Sequence, residues 1–132
     1  MKIGPFALLP ARLAIVEHAP LEDWEEPIKT LFDLQRYVSF YIGDAILFGE
    51  ARFGDDIWQS VPLDVSERMT MRLAGVASKI PPEDRFPTLS WTHHVTALRI
   101  EDVKLRRALL RRAAQEGLGT EDFLDLVKRN AS

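Results

Sequence analysis

Four residues near the middle of the chain could do chemistry because of how they are spaced. Their separation of i, i+4, i+7 and i+11 places them along one side of an α-helix: Arg68, Arg72, Gly75 and Lys79. Cations in such a row suit the phosphates of a nucleic acid, although a basic row is usually just a solvated surface. A glycine inside a helix costs about 1 kcal/mol relative to alanine, so close approach of another backbone would explain it. We call these four residues the cationic stripe.

Other patterns that carry chemistry are missing from the sequence. The absence of cysteine excludes a disulfide scaffold, a zinc ribbon, an iron–sulfur site and a cysteine nucleophile. There is also no glycine-rich phosphate loop, serine elbow or HExxH pattern. His93 and His94 are adjacent, and adjacent helical residues point about 100° apart, so we do not expect them to bind one metal ion. We therefore predict a protein that is not an enzyme and that uses no metal or cofactor.

Length and composition predict one helical domain over residues 1–132. The chain is 46% hydrophobic and 28% charged, and a chain of this size buries about two-thirds of its unfolded surface. No stretch approaches the ~20 apolar residues of a membrane span. The first residues lack the apolar core and cleavage site of a secretory signal. We therefore expect a cytoplasmic protein with no membrane partner.

Charge is spread unevenly along the chain. The net charge is −3, but residues 1–60 contain five basic and ten acidic residues, whereas residues 61–132 contain twelve and ten. The negative net charge of the whole chain disfavours a general polyanion binder. The two halves could nevertheless meet partners with opposite electrostatic demands.

Hydrophobic periodicity predicts a mainly α fold of seven short or medium helices. Residues 1–18 form an extended N-terminal segment, and its apolar part, residues 6–16, predicts a strand or hairpin. Such a strand has few partners in a helical chain, and pairing across a homodimer is one way to supply them. Asp23 is the expected N-cap of a helix to about Leu34. A buried central helix follows over residues 36–53, ended by Gly54.

Residues 55–80 have the local pattern of a helix-turn-helix. A short helix over residues 55–60 and a turn over residues 61–64 precede a helix over residues 66–79. The inward face of the last helix is predicted from its apolar spacing: Met69, Leu73, Val76 and Ile80.

Capping residues and apolar spacing predict three C-terminal helices within residues 89–130. Ser90 caps the first, and we expect its face of Trp91, Val95 and Leu98 to pack under the basic helix that follows. That basic helix opens at Glu101-Asp102 and ends at Gly117, because glycine readily adopts the left-handed conformation of a helix end. Thr120 is the expected cap of the last helix.

Two known groups resemble this order of motifs. The DNA-binding domain of ParB-like and KorB-like partition proteins is similar over Leu89-Ser90-Trp91-Thr92-His93-His94-Val95-Thr96-Ala97-Leu98, Glu101-Asp102, Gly117-Leu118-Gly119-Thr120 and Leu126-Val127-Lys128-Arg129. Transcriptional regulators of the LmbU type are similar over Trp24, Tyr41-Ile42-Gly43-Asp44, Phe48-Gly49-Glu50-Ala51-Arg52-Phe53-Gly54 and the stretch from Val76-Ala77 to Leu89-Ser90. Together the two resemblances cover residues 6–129.

The resemblance implies a helix-turn-helix regulator, of transcription or of partition, that binds double-stranded DNA as a homodimer. The residues expected near base edges lie in the first half of the second helix: Ser66, Glu67, Arg68, Thr70, Met71 and Arg72. Gly75 would allow close approach, and the expected phosphate contacts are Lys79, Arg85, Arg107 and Arg111. The alternative is an adaptor on the same fold that binds another regulator or polymerase through the acidic half.

Overall fold

The structure is a computed structural model that describes residues 1–131. It is 66% helical, with five α-helices and a three-stranded antiparallel sheet at the N-terminus, which confirms the predicted mainly α class with an N-terminal hairpin. No helix in this range is long and apolar enough to cross a membrane. The elements are β1 (Lys2–Ile3), β2 (Phe6–Leu9), β3 (Arg12–Ile15), α1 (Leu21–Phe53), α2 (Glu67–Lys79), α3 (Trp91–Ala97), α4 (Val103–Glu116) and α5 (Thr120–Asn130), with 3-10 helices at Gly54–Gln59 and Pro82–Asp84.

The N-terminal strands pair with one another. The chain divides into two compact units, and the first, residues 1–36, contains this sheet in the order β1-β2-β3. A tight turn at Pro10-Ala11 brings Leu9 opposite Arg12, and Phe6 pairs with Ile15 and is buried. The hairpin alternative is confirmed, and a second chain is not required as a pairing partner for β2, because two short turns supply antiparallel neighbours within the chain.

One continuous helix, α1, replaces the two helices predicted over residues 23–53. It begins at Leu21, so Asp23 lies in the first turn and Pro27 lies inside the helix. Asp23 is therefore not the N-cap, and its carboxylate is favoured in the first turn by the helix dipole. The expected break falls at Leu34-Gln35-Arg36, three residues with high helix propensity, and nothing there stops the helix.

The second unit begins at Tyr37 and contains two core clusters. The larger lies among α3, α4 and α5 and includes Leu110 and Phe123. Ser90 caps α3 and Gly117 ends α4 with a φ of 65°, as predicted, and Asp102, where α4 was expected to open, is its N-cap. The cap of α5 was placed one residue too late, because Gly119 is the N-cap and Thr120 is already helical.

The smaller core cluster surrounds the C-terminal half of α1 and includes Phe40 and Ile80. The predicted face of α3 packs here and not under α4, which corrects our expectation for Trp91, Val95 and Leu98. The Trp91 ring meets the Phe40 ring edge-on at 4.7 Å. The side of α3 that enters the interior most deeply carries His93, His94 and Ala97.

Close approach of two helix backbones occurs at Gly43 and not at Gly75. A Cβ atom added at Gly43 would lie 2.6 Å from the Leu73 carbonyl oxygen and 2.8 Å from the Ala77 Cβ. A Cβ atom added at Gly75 would meet nothing within 4 Å. The glycine of α1 therefore lets α1 cross α2 at very short range, whereas the glycine of α2 faces open space.

These two glycines make a matched pair for a stability test. We expect Gly43→Ala to lower the free energy of unfolding by about 1–3 kcal/mol, because the added methyl group overpacks against the α2 backbone. Gly75→Ala should raise it by about 0.5–1 kcal/mol through better helix propensity. Urea unfolding followed by circular dichroism measures both. If both substitutions changed the free energy of unfolding equally, the close crossing of α1 and α2 at Gly43 would be contradicted.

Candidate nucleic-acid interface

The helix that carries the cationic stripe has a well-formed start. The Ser66 side chain accepts a hydrogen bond from the Met69 N–H at 3.0 Å, so it satisfies one of the unpaired donors of the first turn. The preceding turn is closed by the Val65 N–H, which donates to the Pro62 carbonyl at 3.0 Å. The predicted helix over residues 66–79 is confirmed, with Ser66 as its cap.

The short helix expected before this turn is a 3-10 helix over Gly54–Gln59, and none of its residues is buried. It therefore contributes little packing to hold α2 in place. The close contact with α1 at Gly43 performs that role.

The buried face of α2 differs from the predicted one. Val76 and Ile80 are buried as expected, but Met69 is 50% exposed and Leu73 is only partly covered. The remaining interior positions are small residues: Thr70, Ala74 and Ala77. Small side chains on this face are what close approach to α1 requires. The helix is consequently rotated so that Met69 and Leu73 lie beside a groove and not in the core.

The cationic stripe lies on the side of α2 opposite Thr70, Ala74 and Ala77, as helical geometry requires. Arg68, Arg72 and Lys79 are exposed, and within residues 1–131 none of them forms an ion pair. Gly75 leaves an open gap between them. The stripe therefore presents three unneutralised cations over about 16 Å of helix.

Two other residues expected at base edges occupy different environments. Met71 is 43% exposed beside the stripe and remains available for contact. Thr70 is only 2% exposed, and its hydroxyl donates to the Ser66 carbonyl at 3.1 Å. It faces α1, so it is not part of the exposed surface.

Arg85 has a structural position and not that of a free phosphate contact. Its guanidinium donates to both carboxylate oxygens of Asp44, at 2.8 and 2.9 Å. It also donates to the carbonyl oxygens of Ile80 at 2.8 Å and Ala77 at 3.1 Å, and it lies 4.3 Å from the Phe40 ring centroid. The hydrogen bond from Arg85 lowers the pKa of Asp44. We call this arrangement the Arg85 clamp.

Arg107 is likewise engaged, whereas Arg111 is not. Arg107 donates to both oxygens of the buried Asp84 carboxylate, at 2.5 and 3.1 Å, and these bonds raise the pKa of Arg107. Asp84 would be left as an unpaired buried charge without it. Arg111, one turn later on α4, is exposed and forms no ion pair in the described part of the chain. Of the four expected phosphate contacts, Lys79 and Arg111 are accessible and unpaired.

The two adjacent histidines are hydrogen-bonded inside the fold. His93 Nδ1 accepts from the Ser90 N–H, and its Nε2 donates to the Leu118 carbonyl at 2.9 Å. His94 Nε2 accepts from the Phe86 N–H at 3.0 Å, so its Nδ1 is the protonated nitrogen and donates to the Ser90 carbonyl at 2.7 Å. Every ring nitrogen has a partner. Both side chains act as structural groups that join the loop before α3 to the core.

An open apolar groove lies on the other side of α2. It has a volume of about 860 Å³ and is walled by α1, by the 3-10 helix over Gly54–Gln59 with the turn that follows, and by α2. Asp56 is the one charged residue among those that line it. Sequence reasoning missed this groove because Met69 and Leu73, which form one wall, had the spacing of core residues. The apolar side chains at its edge include Ile42, Ile46, Phe48, Phe53, Ile57 and Val65.

Comparisons with protein-family models, with curated proteins and with solved structures find no match to this chain. The resemblance to LmbU-type regulators and to the ParB and KorB DNA-binding domain therefore stays a prediction.

The buried His94 predicts a specific pH dependence of stability. Burial lowers the pKa of His94 from 6.5 to about 4, so between these pH values the unfolded chain binds a proton that the folded chain does not. We expect the free energy of unfolding to fall by a total of about 3 kcal/mol as the pH is lowered through this window. Urea unfolding at a series of pH values measures the loss.

Two glutamine variants test whether His94 causes this loss of stability at low pH. His94→Gln is expected to be less stable than the parent at neutral pH but to depend less steeply on pH within the window, because it cannot titrate. His18→Gln, which changes an exposed side chain, should retain the parent's slope. A His94→Gln variant with the same slope as the parent would contradict this assignment.

Proposed function

We propose that this chain is a DNA-binding regulator that contacts duplex DNA through α2 and acts as a homodimer. The observation that carries the proposal is the cationic stripe, which is exposed, unpaired in the described residues and located on a capped helix after a tight turn. A recognition helix in the major groove needs this combination of an anchored inner face and a free outer face. The resemblance to LmbU-type and ParB-like proteins supports the same function.

The residues divide into two kinds of contact. Arg68, Met71 and Arg72 lie in the first half of α2, the part that meets base edges when such a helix enters the major groove. Lys79 at the end of α2 and Arg111 on α4 suit phosphate oxygens, which position a protein without reading sequence. Arg85 and Arg107 support the fold and are not assigned to DNA.

Reversing one charge of the stripe tests the proposal. Arg72→Glu replaces an attraction to phosphate or guanine by a repulsion, so we expect it to cost at least about 1–3 kcal/mol of binding free energy. Its effect on the free energy of unfolding should stay within ~0.5 kcal/mol, because the side chain is exposed. Fluorescence anisotropy of a labelled duplex at low salt measures binding, and urea unfolding measures stability.

Arg12→Glu is the matched control, because it makes the same change in charge at an exposed position on β3. It should bind DNA like the parent. Gly75→Leu adds a steric test, since it should raise helix stability yet fill the gap between the cations. If Arg72→Glu and Gly75→Leu both bind like the parent, or if the parent binds no DNA at low salt, the proposal fails.

The apolar groove favours a second candidate, a protein-binding adaptor. Contiguous exposed apolar surface of this kind marks interaction sites in many proteins. An adaptor would retain its partner when Arg72 is replaced by glutamate, whereas the DNA-binding regulator would lose its ligand. Comparing Arg72→Glu with its control Arg12→Glu therefore separates the two candidates.

A further inference from the structure

The outer side of α1 carries apolar residues that the second unit does not bury. Within this unit they follow a spacing of i, i+3, i+7 and i+10, which aligns them along one side of the helix: Val38, Tyr41, Ala45 and Phe48. We call these four residues the α1 face. Tyr41 is 53% exposed and Phe48 is 66% exposed. Phe40, Gly43 and Leu47, which meet the core and α2, lie on the far side of the same helix.

This spacing is the one by which one helix packs against another. Apolar residues that repeat alternately every three and four positions form the seam of paired helices. The α1 face runs into the apolar groove, because Ala45 and Phe48 belong to both. The surface therefore places the exposed Phe48 ring beside the open apolar groove.

We propose that the α1 face and the groove beside it bind the same surface of a second copy of this chain. In a two-fold arrangement each protomer contributes the same patch, so the Phe48 ring of one copy enters the groove of the other and the reverse contact forms simultaneously. A self-complementary patch needs both a projection and a hollow. This surface has both, because the Phe48 side chain is 66% exposed and lies at the groove.

Charge favours a second copy over a charged partner. Asp44 is the only charged residue from Tyr37 to Gly49, and its carboxylate is paired with Arg85 in the Arg85 clamp. Among the residues that line the groove only Asp56 is charged, so two copies that meet here bring few like charges together. A strongly acidic or basic partner would find no complementary groups on the α1 face.

The dimer also fits the proposed DNA contact, on which it rests in part. Helix-turn-helix proteins read two-fold DNA sites as dimers, with one recognition helix for each half-site. The cationic stripe lies on the side of α2 away from the residues that meet α1, and Met69 and Leu73 rather than the stripe line the groove. Association through the groove therefore leaves the stripe free.

Sedimentation of the full chain across the micromolar range tests the interface. The parent should have about twice the 15.0 kDa mass of one chain. Phe48→Glu places a charge in a contact that excludes water, so we expect dimerisation to weaken by about tenfold or more. Val103→Glu makes the same kind of change at an exposed residue of α4 and should remain dimeric. Circular dichroism checks that each variant is folded.

Cross-linking supplies a test that does not depend on a disruptive substitution. The chain has no cysteine, so Ala45→Cys introduces a single thiol at the centre of the α1 face. A mild oxidant should convert this variant to a disulfide-linked dimer. Thr92→Cys, at an exposed position of α3, should stay unlinked under the same conditions.

Three results would overturn the inference. One is a parent that stays monomeric throughout the concentration range. Another is a dimer that persists in Phe48→Glu while Ala45→Cys stays unlinked, because the chains would then meet elsewhere. The third is a monomer whose groove binds an apolar fluorescent dye in a manner lost in Phe48→Glu, which would assign the groove to a small ligand or another protein.

DNA binding, measured in parallel, keeps this inference distinct from the proposed function. A parent that binds no DNA but dimerises through Phe48 defeats the DNA proposal and supports the interface. A parent that binds DNA as a monomer defeats the interface and supports the DNA proposal.

Discussion

The Arg85 guanidinium joins three parts of the second unit at one point. It donates to both oxygens of the Asp44 carboxylate on α1 and to the carbonyl oxygens of Ala77 and Ile80 at the end of α2. Carbonyl oxygens in the last turn of a helix have no partner within the helix, and here a cation satisfies two of them. The clamp therefore fixes the end of α2 against α1.

The crossing at Gly43 completes this constraint. One glycine on α1 and small residues on α2 let the two backbones meet, and the Arg85 clamp holds them close to the crossing. With α2 fixed in this rotation, its cations face outward and its larger apolar residues, Met69 and Leu73, face the groove. The candidate DNA surface thus lies on the outer side of α2, and the groove of the candidate dimer surface lies between α2 and α1.

Local signals in the sequence predicted much of this fold. Ser90 caps the helix that it was expected to cap, and Ser66 and Asp102 cap helices that were expected to begin at these positions, because a side-chain oxygen needs only the next three residues to act. Long-range contacts were not predictable in this way. Arg85 and Arg107 have the appearance of solvated cations in the sequence, but their carboxylate partners lie 41 and 23 residues away. The rotation of α2 was missed for a similar reason, since Gly43, which determines it, lies on a different helix.

The central claim is that this chain binds DNA through cations on α2 and α4, and the salt dependence of DNA affinity tests it most directly. The two cations assigned to phosphates, Lys79 and Arg111, occur once in each protomer, so the homodimer predicts a plot of log affinity against log salt concentration with a slope of about −3.6, from roughly −0.9 for each of four phosphates neutralised. Anisotropy titrations of the parent chain with a labelled duplex, repeated over a range of salt concentrations, give this slope. An affinity that does not change with salt, or no binding at the lowest salt, would contradict the account.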